Sequence, residues 1–137
     1  IVKTKPPEIG ILNIEMLATH FKDKVFRNFD STFKVLQWHS YEVQDLESVN
    51  DVFLLASSES TKYQIFRYKD YAYGVQFHTE IKEDTISSWG KITELKEVIE
   101  NNLGKNALHL FEKEGNKNIK NMKLNTEKLY ENFKKIL

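Results

Sequence analysis

The chain has 137 residues, no cysteine, and 20 Lys plus Arg against 20 Asp plus Glu. That length allows one domain with a real core, and nine Phe, six Tyr and two Trp supply bulky material to fill it. The balanced charge lacks the basic excess of a nucleic-acid footprint, zero cysteine excludes disulfides and thiolate-bound zinc, and no apolar run is long enough to span a bilayer.

Residues 1–8 hold both prolines, Pro6 and Pro7, and read as an extended lead-in. Ile9 to Met16 is apolar, with Leu12, Ile14 and Met16 alternating against Asn13 and Glu15, which suits a strand. Ala18 to Asp30 mixes charges with Phe21, Val25, Phe26 and Phe29 and fits a short helical turn or an aromatic-packed loop. Thr32 to His39 is rich in β-formers (Phe33, Val35, Trp38) and is the next strand. Asp45 to Asp51 is loop-like, and Val52 to Ser57 reads as a short buried strand. Ser58 to Thr61 is a turn. Tyr63 to Tyr68 and Ala72 to Phe77, joined at Lys69-Asp70, predict a β-hairpin.

After Glu80 the apolar period lengthens to that of a helix. Asp84 is placed to cap a helix carrying Ile86, Trp89, Ile92, Leu95 and Ile99 on one face, with Gly90 dividing it and Gly104 ending it. Asn106 to Glu114 predicts a second short helix stopped by Gly115. Asn116 to Asn121 reads as a polar Lys/Asn-rich link, and Asn125 as the cap of a last helix with a Leu129, Phe133, Ile136, Leu137 stripe facing the core. Residues 91–137 hold ten Lys and seven Glu, an ordinary solvated helical surface. The expected organisation is one domain over 1–137, with strands and hairpin in 9–80 and helices in 82–137.

The hairpin leads into Tyr73-Gly74-Val75-Gln76-Phe77-His78-Thr79-Glu80. Residues i and i+2 of an extended chain point the same way, so His78 and Glu80 are expected within hydrogen-bond reach. A carboxylate beside an imidazole fixes its tautomer and stabilises the imidazolium, as a general base serving a nucleophile requires. Two plainer readings stay open: a structural histidine near a strand end, and a metal site in which His78 and Glu80 are joined by His39 or His20. A nucleophile is harder to find. Gly10, Gly74, Gly90, Gly104 and Gly115 include no pair four apart, so no Gly-x-Ser-x-Gly or Gly-x-Cys-x-Gly elbow exists. Gly90-Lys91 has neither the first glycine nor the following Ser or Thr of a phosphate loop.

Four segments, in order, resemble the class I glutamine amidotransferases, in particular the stand-alone group similar to the amidotransferase half of GMP synthase. Glu8-Ile9-Gly10 resembles the Glu-Ile-Gly that opens a strand after the family's nucleophile half. Leu36-Gln37-Trp38-His39-Ser40 resembles its Gln-Trp-His loop, and Tyr63-Gln64-Ile65-Phe66-Arg67-Tyr68 its Asn-Gln-Ala-Phe-Arg-Tyr segment. Tyr73 to Glu80 resembles its Tyr-Gly-Leu-Gln-Phe-His-Pro-Glu. Tyr130-Glu131-Asn132-Phe133 resembles its last helix.

The resemblance implies an α/β fold: the C-terminal part of a flavodoxin-like domain with an open sheet flanked by helices, here with a β-hairpin and C-terminal helices. It implies His78 as general base and Glu80 as its orienting carboxylate, in a reaction where a cysteine thiolate attacks the side-chain amide of L-glutamine, ammonia leaves and water releases glutamate. It places Trp38, His39, Ser40 and Tyr41 in the loop that helps hold the substrate. It implies no cofactor and no metal, and a synthetase or other ammonia acceptor as a partner. Two departures stand out: Thr79 replaces the usual proline, which would stiffen the corner, and the family's cysteine lies upstream of Glu8, outside this chain. The chain opens on Ile1, so a processed, trimmed or partial chain is expected, inactive on glutamine alone. A non-catalytic binding or regulatory module is the alternative. A cytoplasmic location and a homodimer burying an open sheet edge complete the expectations.

Overall fold

The computed structural model describes residues 1–137. Five strands come first: β1 (Val2–Met16), β2 (Thr32–Glu42), β3 (Val52–Ser57), β4 (Ile65–Tyr68) and β5 (Ala72–Val75). Three helices follow, α1 (Thr85–Trp89), α2 (Thr93–Leu103) and α3 (Ala107–Lys134), and short 3-10 turns span Ala18–Lys22 and Leu46–Ser48. The strands form one curled sheet in the order β2-β1-β3-β4-β5. Every pairing in it is antiparallel. The long pairing of β1 with β2 sets Ile9 opposite Trp38 and Ile14 opposite Phe33. β1 meets β3 only at Glu15–Ser57 and Met16–Ala56, after which the two strands splay.

The side-chain alternation of β1 and β2 feeds two cores. Ile14, Phe33 and Val35 turn inward with Val25, Phe26, Phe29, Leu55, Ile65 and Phe77. Ile9, Ile11 and Leu36 face the helices and meet Ile81, Ile86, Ile99, Phe111 and Met122. No helix is long and apolar enough to cross a membrane.

Local expectations hold at the start of the chain and are corrected in the helical part. The proline-bearing start is extended and is part of β1, with a break in the β1–β2 register between Lys3 and Glu8. Asp84 makes no side-chain cap bond; the Thr85 hydroxyl instead accepts the Lys82 N–H at 2.8 Å. Ile92 is exposed and sits between α1 and α2, not on their shared face. The third correction along the helices is the largest. The stretch from Asn106 onward, expected as two helices and a link, is one 28-residue helix that runs through Gly115 and Asn125.

The reason lies in packing. A Cβ on Gly115 would overlap the end of Ile86, so this glycine lets α1 approach α3 and does not stop the helix. The Asn118 amide donates to the Glu114 carbonyl at 2.8 Å and carboxylate at 2.9 Å, and so solvates the helix from within. Near the end, the buried Asn132 donates to the Val25 carbonyl and to Asn28 Oδ1, both at 2.7 Å. Leu129, Phe133 and Ile136 pack on the inner core as expected, whereas Leu137 is exposed.

Candidate functional site

His78 lies just past β5, where the chain turns away from the hairpin. Its backbone N–H donates to the Leu36 carbonyl of β2 at 2.9 Å, an isolated antiparallel bridge that keeps the chain extended through the histidine. Extension sends His78 and Glu80 to one side, and His78 Nδ1 lies 2.6 Å from Glu80 Oε1. The Trp89 ring stands edge-on to the imidazole with centroids 4.9 Å apart, supplying a wall from α1.

Burial alone would push the Glu80 carboxyl up. The His78 hydrogen bond, followed by the backbone N–H groups of Glu80 and Thr79, outweighs it and holds the carboxyl below its ordinary value. Glu80 is therefore a carboxylate at neutral pH. A carboxylate only accepts, so Nδ1 carries the proton toward it, and the lone pair of the neutral imidazole is on Nε2. The arrangement can take a proton at Nε2 and stabilise the resulting imidazolium. Behind His78 the space is small. An apolar cavity of about 20 Å³, lined by Phe33, Phe77, Met122 and Leu129 among others, has room for one water and not for an amino acid.

The segment Trp38–Tyr41 divides between the two faces of β2. Trp38 is wedged between Trp89 at 5.1 Å and Phe111 at 5.7 Å, so it reaches His78 only through Trp89. His39 points the other way. Its Nε2 is 2.9 Å from Glu8 Oε2 and its Nδ1 is 2.9 Å from the Tyr41 carbonyl. Both ring nitrogens are thus occupied. Ser40 is half-buried, and the Tyr41 side chain is exposed. Trp38, His39, Ser40 and Tyr41 are neighbours in sequence that do not form one cluster of side chains.

Glu8, itself buried, anchors a polar ring that runs from the interior out to the surface at the Tyr41 carbonyl. Besides His39 it accepts the Ser58 hydroxyl at 2.6 Å and the Gln64 amide at 2.7 Å. The Gln64 backbone carbonyl accepts the Gln76 N–H at 2.9 Å, and the Gln76 side chain donates to the same Tyr41 carbonyl at 3.1 Å. The ring Glu8–His39–Tyr41–Gln76–Gln64 closes on itself and ties β1, β2, β4 and the end of β5. Burial pushes the Glu8 carboxyl up, but the hydrogen bonds from His39 and then Ser58 pull it down to about 2. The only sequence signal was that Glu8 and Gln64 stand in the family-like segments.

No three His, Cys, Asp or Glu side chains come together in a way that would hold a metal. His78 and His39 each take a separate glutamate, and His20 binds the Leu17 carbonyl at 2.6 Å in the loop after β1.

The chain belongs to the class I glutamine amidotransferases: that family's model matches residues 3–88. Among solved structures it is similar to a glutamine amidotransferase from Thermotoga maritima, at 24% identity and a TM-score of 0.76 over 93% of this chain and 50% of that one. One from Methylobacillus flagellatus gives 15% identity and a TM-score of 0.79, covering 99% of this chain and 55% of that one. At these identities the likeness is one of fold. A Thermoplasma acidophilum protein assigned as a component of GMP synthase is 30% identical, with a TM-score of 0.52 over 59% of this chain and 39% of that one. The chain spans about half the length of these relatives or less. A comparison with curated protein sequences gives no match.

Proposed function

We propose that this chain is the histidine–carboxylate portion of a class I amidotransferase domain that hydrolyses L-glutamine to glutamate and ammonia. Residues 1–137 form a single partial domain, with His78 as the base, Glu80 as its orienting carboxylate and the cysteine supplied by sequence outside this chain. The observation that carries the reading is the 2.6 Å contact between His78 Nδ1 and an ionised Glu80, in a chain that matches the family model. Nε2 is then the group that accepts the thiol proton and later activates water. Backbone around Trp38, Ser40 and Tyr41 contributes to holding the substrate, with His39 holding the Tyr41 carbonyl from behind. A synthetase that consumes the ammonia is the partner this chemistry calls for.

The test is glutamate release from glutamine. The 137-residue chain alone is expected to release none, because without a cysteine the covalent route is missing. Joined to a cysteine-bearing N-terminal half from a solved relative, it is expected to turn over glutamine, and His78→Ala to lower that rate by at least about a hundredfold. Turnover by the chain alone, or turnover of the joined protein that His78→Ala leaves intact, would overturn the assignment. The absence of cysteine also favours a second reading, a binding module that kept the fold and lost the chemistry. Glutamine binding by the joined protein without turnover is the outcome that selects it.

A further inference from the structure

Thr79 lies between the two members of the dyad, and its carbonyl is doubly held. The Ile81 N–H donates to it at 3.0 Å, closing a tight turn around Glu80. The Thr126 hydroxyl reaches it from the middle of α3 at 2.8 Å, sharing its proton with the Met122 carbonyl at 3.1 Å. One turn earlier on the same face of α3, Lys123 pairs with Glu83 at 2.7 Å. The helix therefore grips the corner at two points on either side of Glu80. The peptide whose oxygen Thr126 holds is the peptide whose N–H belongs to Glu80, and the Glu80 side chain is the one that meets His78 Nδ1. A planar peptide cannot turn one end without the other.

We propose that Thr126 is a positioning residue: by fixing the Thr79–Glu80 peptide from α3 it sets the Glu80 carboxylate against His78 Nδ1. This rests on reading His78 and Glu80 as base and orienting carboxylate. The corner has no ring to restrict φ at residue 79, so its conformation is fixed from outside, by a hydroxyl on a helix that begins more than twenty-five residues later in the chain. Lys123 is engaged by Glu83 and not by Glu80, so of these two α3 side chains only the Thr126 hydroxyl adds to the Ile81 N–H in holding the dyad's own peptide.

The test uses the chain itself and needs no turnover. Carboxyl carbon resonances report the titration of Glu80, and the His78 ring nitrogens report which one carries the proton. Thr126→Ala and Thr126→Val are expected to move the Glu80 midpoint up toward the ordinary carboxylate value and to broaden or lose the Nδ1-bound proton signal. Thr126→Ser, which restores the hydroxyl, is expected to return both. Two substitutions guard against misfolding, since valine sets a methyl against the Thr79 carbonyl and alanine does not. Folded Thr126→Ala with Glu80 and His78 signals unchanged would overturn the proposal, as would failure of Thr126→Ser to restore them. A role limited to helix stability would lower the unfolding midpoint and leave both signals in place. The outcome is independent of the glutaminase assay, which tests the chemical reading separately.

Discussion

Glu8 shows how one buried charge organises a site that it does not enter. Burial raises its carboxyl, yet hydrogen bonds from two other segments, His39 first and then the turn at Ser58, depress it from an ordinary 4.5 to about 2. A depressed carboxyl stabilises the fold fully above its unfolded value and loses that contribution as pH falls through the folded value. The relevant window is thus from about 4.5 down to about 2. The amide of Glu8→Gln has one acceptor where its neighbours present several donors. In urea unfolding, wild type is expected to exceed Glu8→Gln by on the order of 2 kcal/mol near pH 6, with the gap narrowing as pH falls toward 3. A gap independent of pH would show that the charge is not what holds the ring. Two members of the ring lie beside the proposed site in sequence: Tyr41, whose carbonyl is held by His39 and Gln76, and Gln76, two residues before His78.

Among the elements, α3 behaves least as its composition suggests. Gly115 costs a helix interior about 1 kcal/mol relative to alanine, and here that cost is offset by close contact with Ile86. Gly115→Ala alone is expected to be neutral or destabilising, because the buried end of Ile86 must move. In an Ile86→Ala background the same change is expected to stabilise by about 0.5–1 kcal/mol. A denaturant double-mutant cycle reads that coupling, and strictly additive effects would count against the packing role. The same residues explain what sequence alone makes legible. Strand β3 follows from a short continuous apolar run and the His78–Glu80 pair from an i, i+2 spacing. The long helix is obscured because Gly115 and the Asn116–Asn121 run are read as punctuation, although Phe111, Gly115, Met122, Leu129 and Phe133 already make a continuous stripe. The Glu8 ring could not be read locally, since its partners are 31, 50 and 56 residues away. Thr126 is hidden for the same reason, 47 residues from the carbonyl it holds.

For the whole molecule, the informative feature is the splay of β1 from β3. Between Glu8 and Asn13, β1 is paired with β2 on one side and with no strand on the other. A free strand edge of that length is a template for another strand. We expect the purified chain to satisfy it by pairing with a second copy, and a two-fold arrangement is the simplest closed solution. Sedimentation at micromolar concentration should show a concentration-dependent dimer. A cooperatively folding monomer across that range would argue that the open edge is stable in water.

The reach of α3 across both cores also orders events in time. A polypeptide is made from its N-terminus, and early segments fold first. His78, Glu80 and the whole sheet leave the ribosome ahead of Thr126, Phe111 and Asn132. A nascent chain halted before Ala107 already contains both members of the dyad. It has no hydroxyl on the Thr79 carbonyl, no Phe111 ring behind Trp38 and no amide on Val25. On the proposed role of Thr126, completion of the His78–Glu80 corner waits for synthesis of the last helix, and a half-made polypeptide carries both residues without that hold.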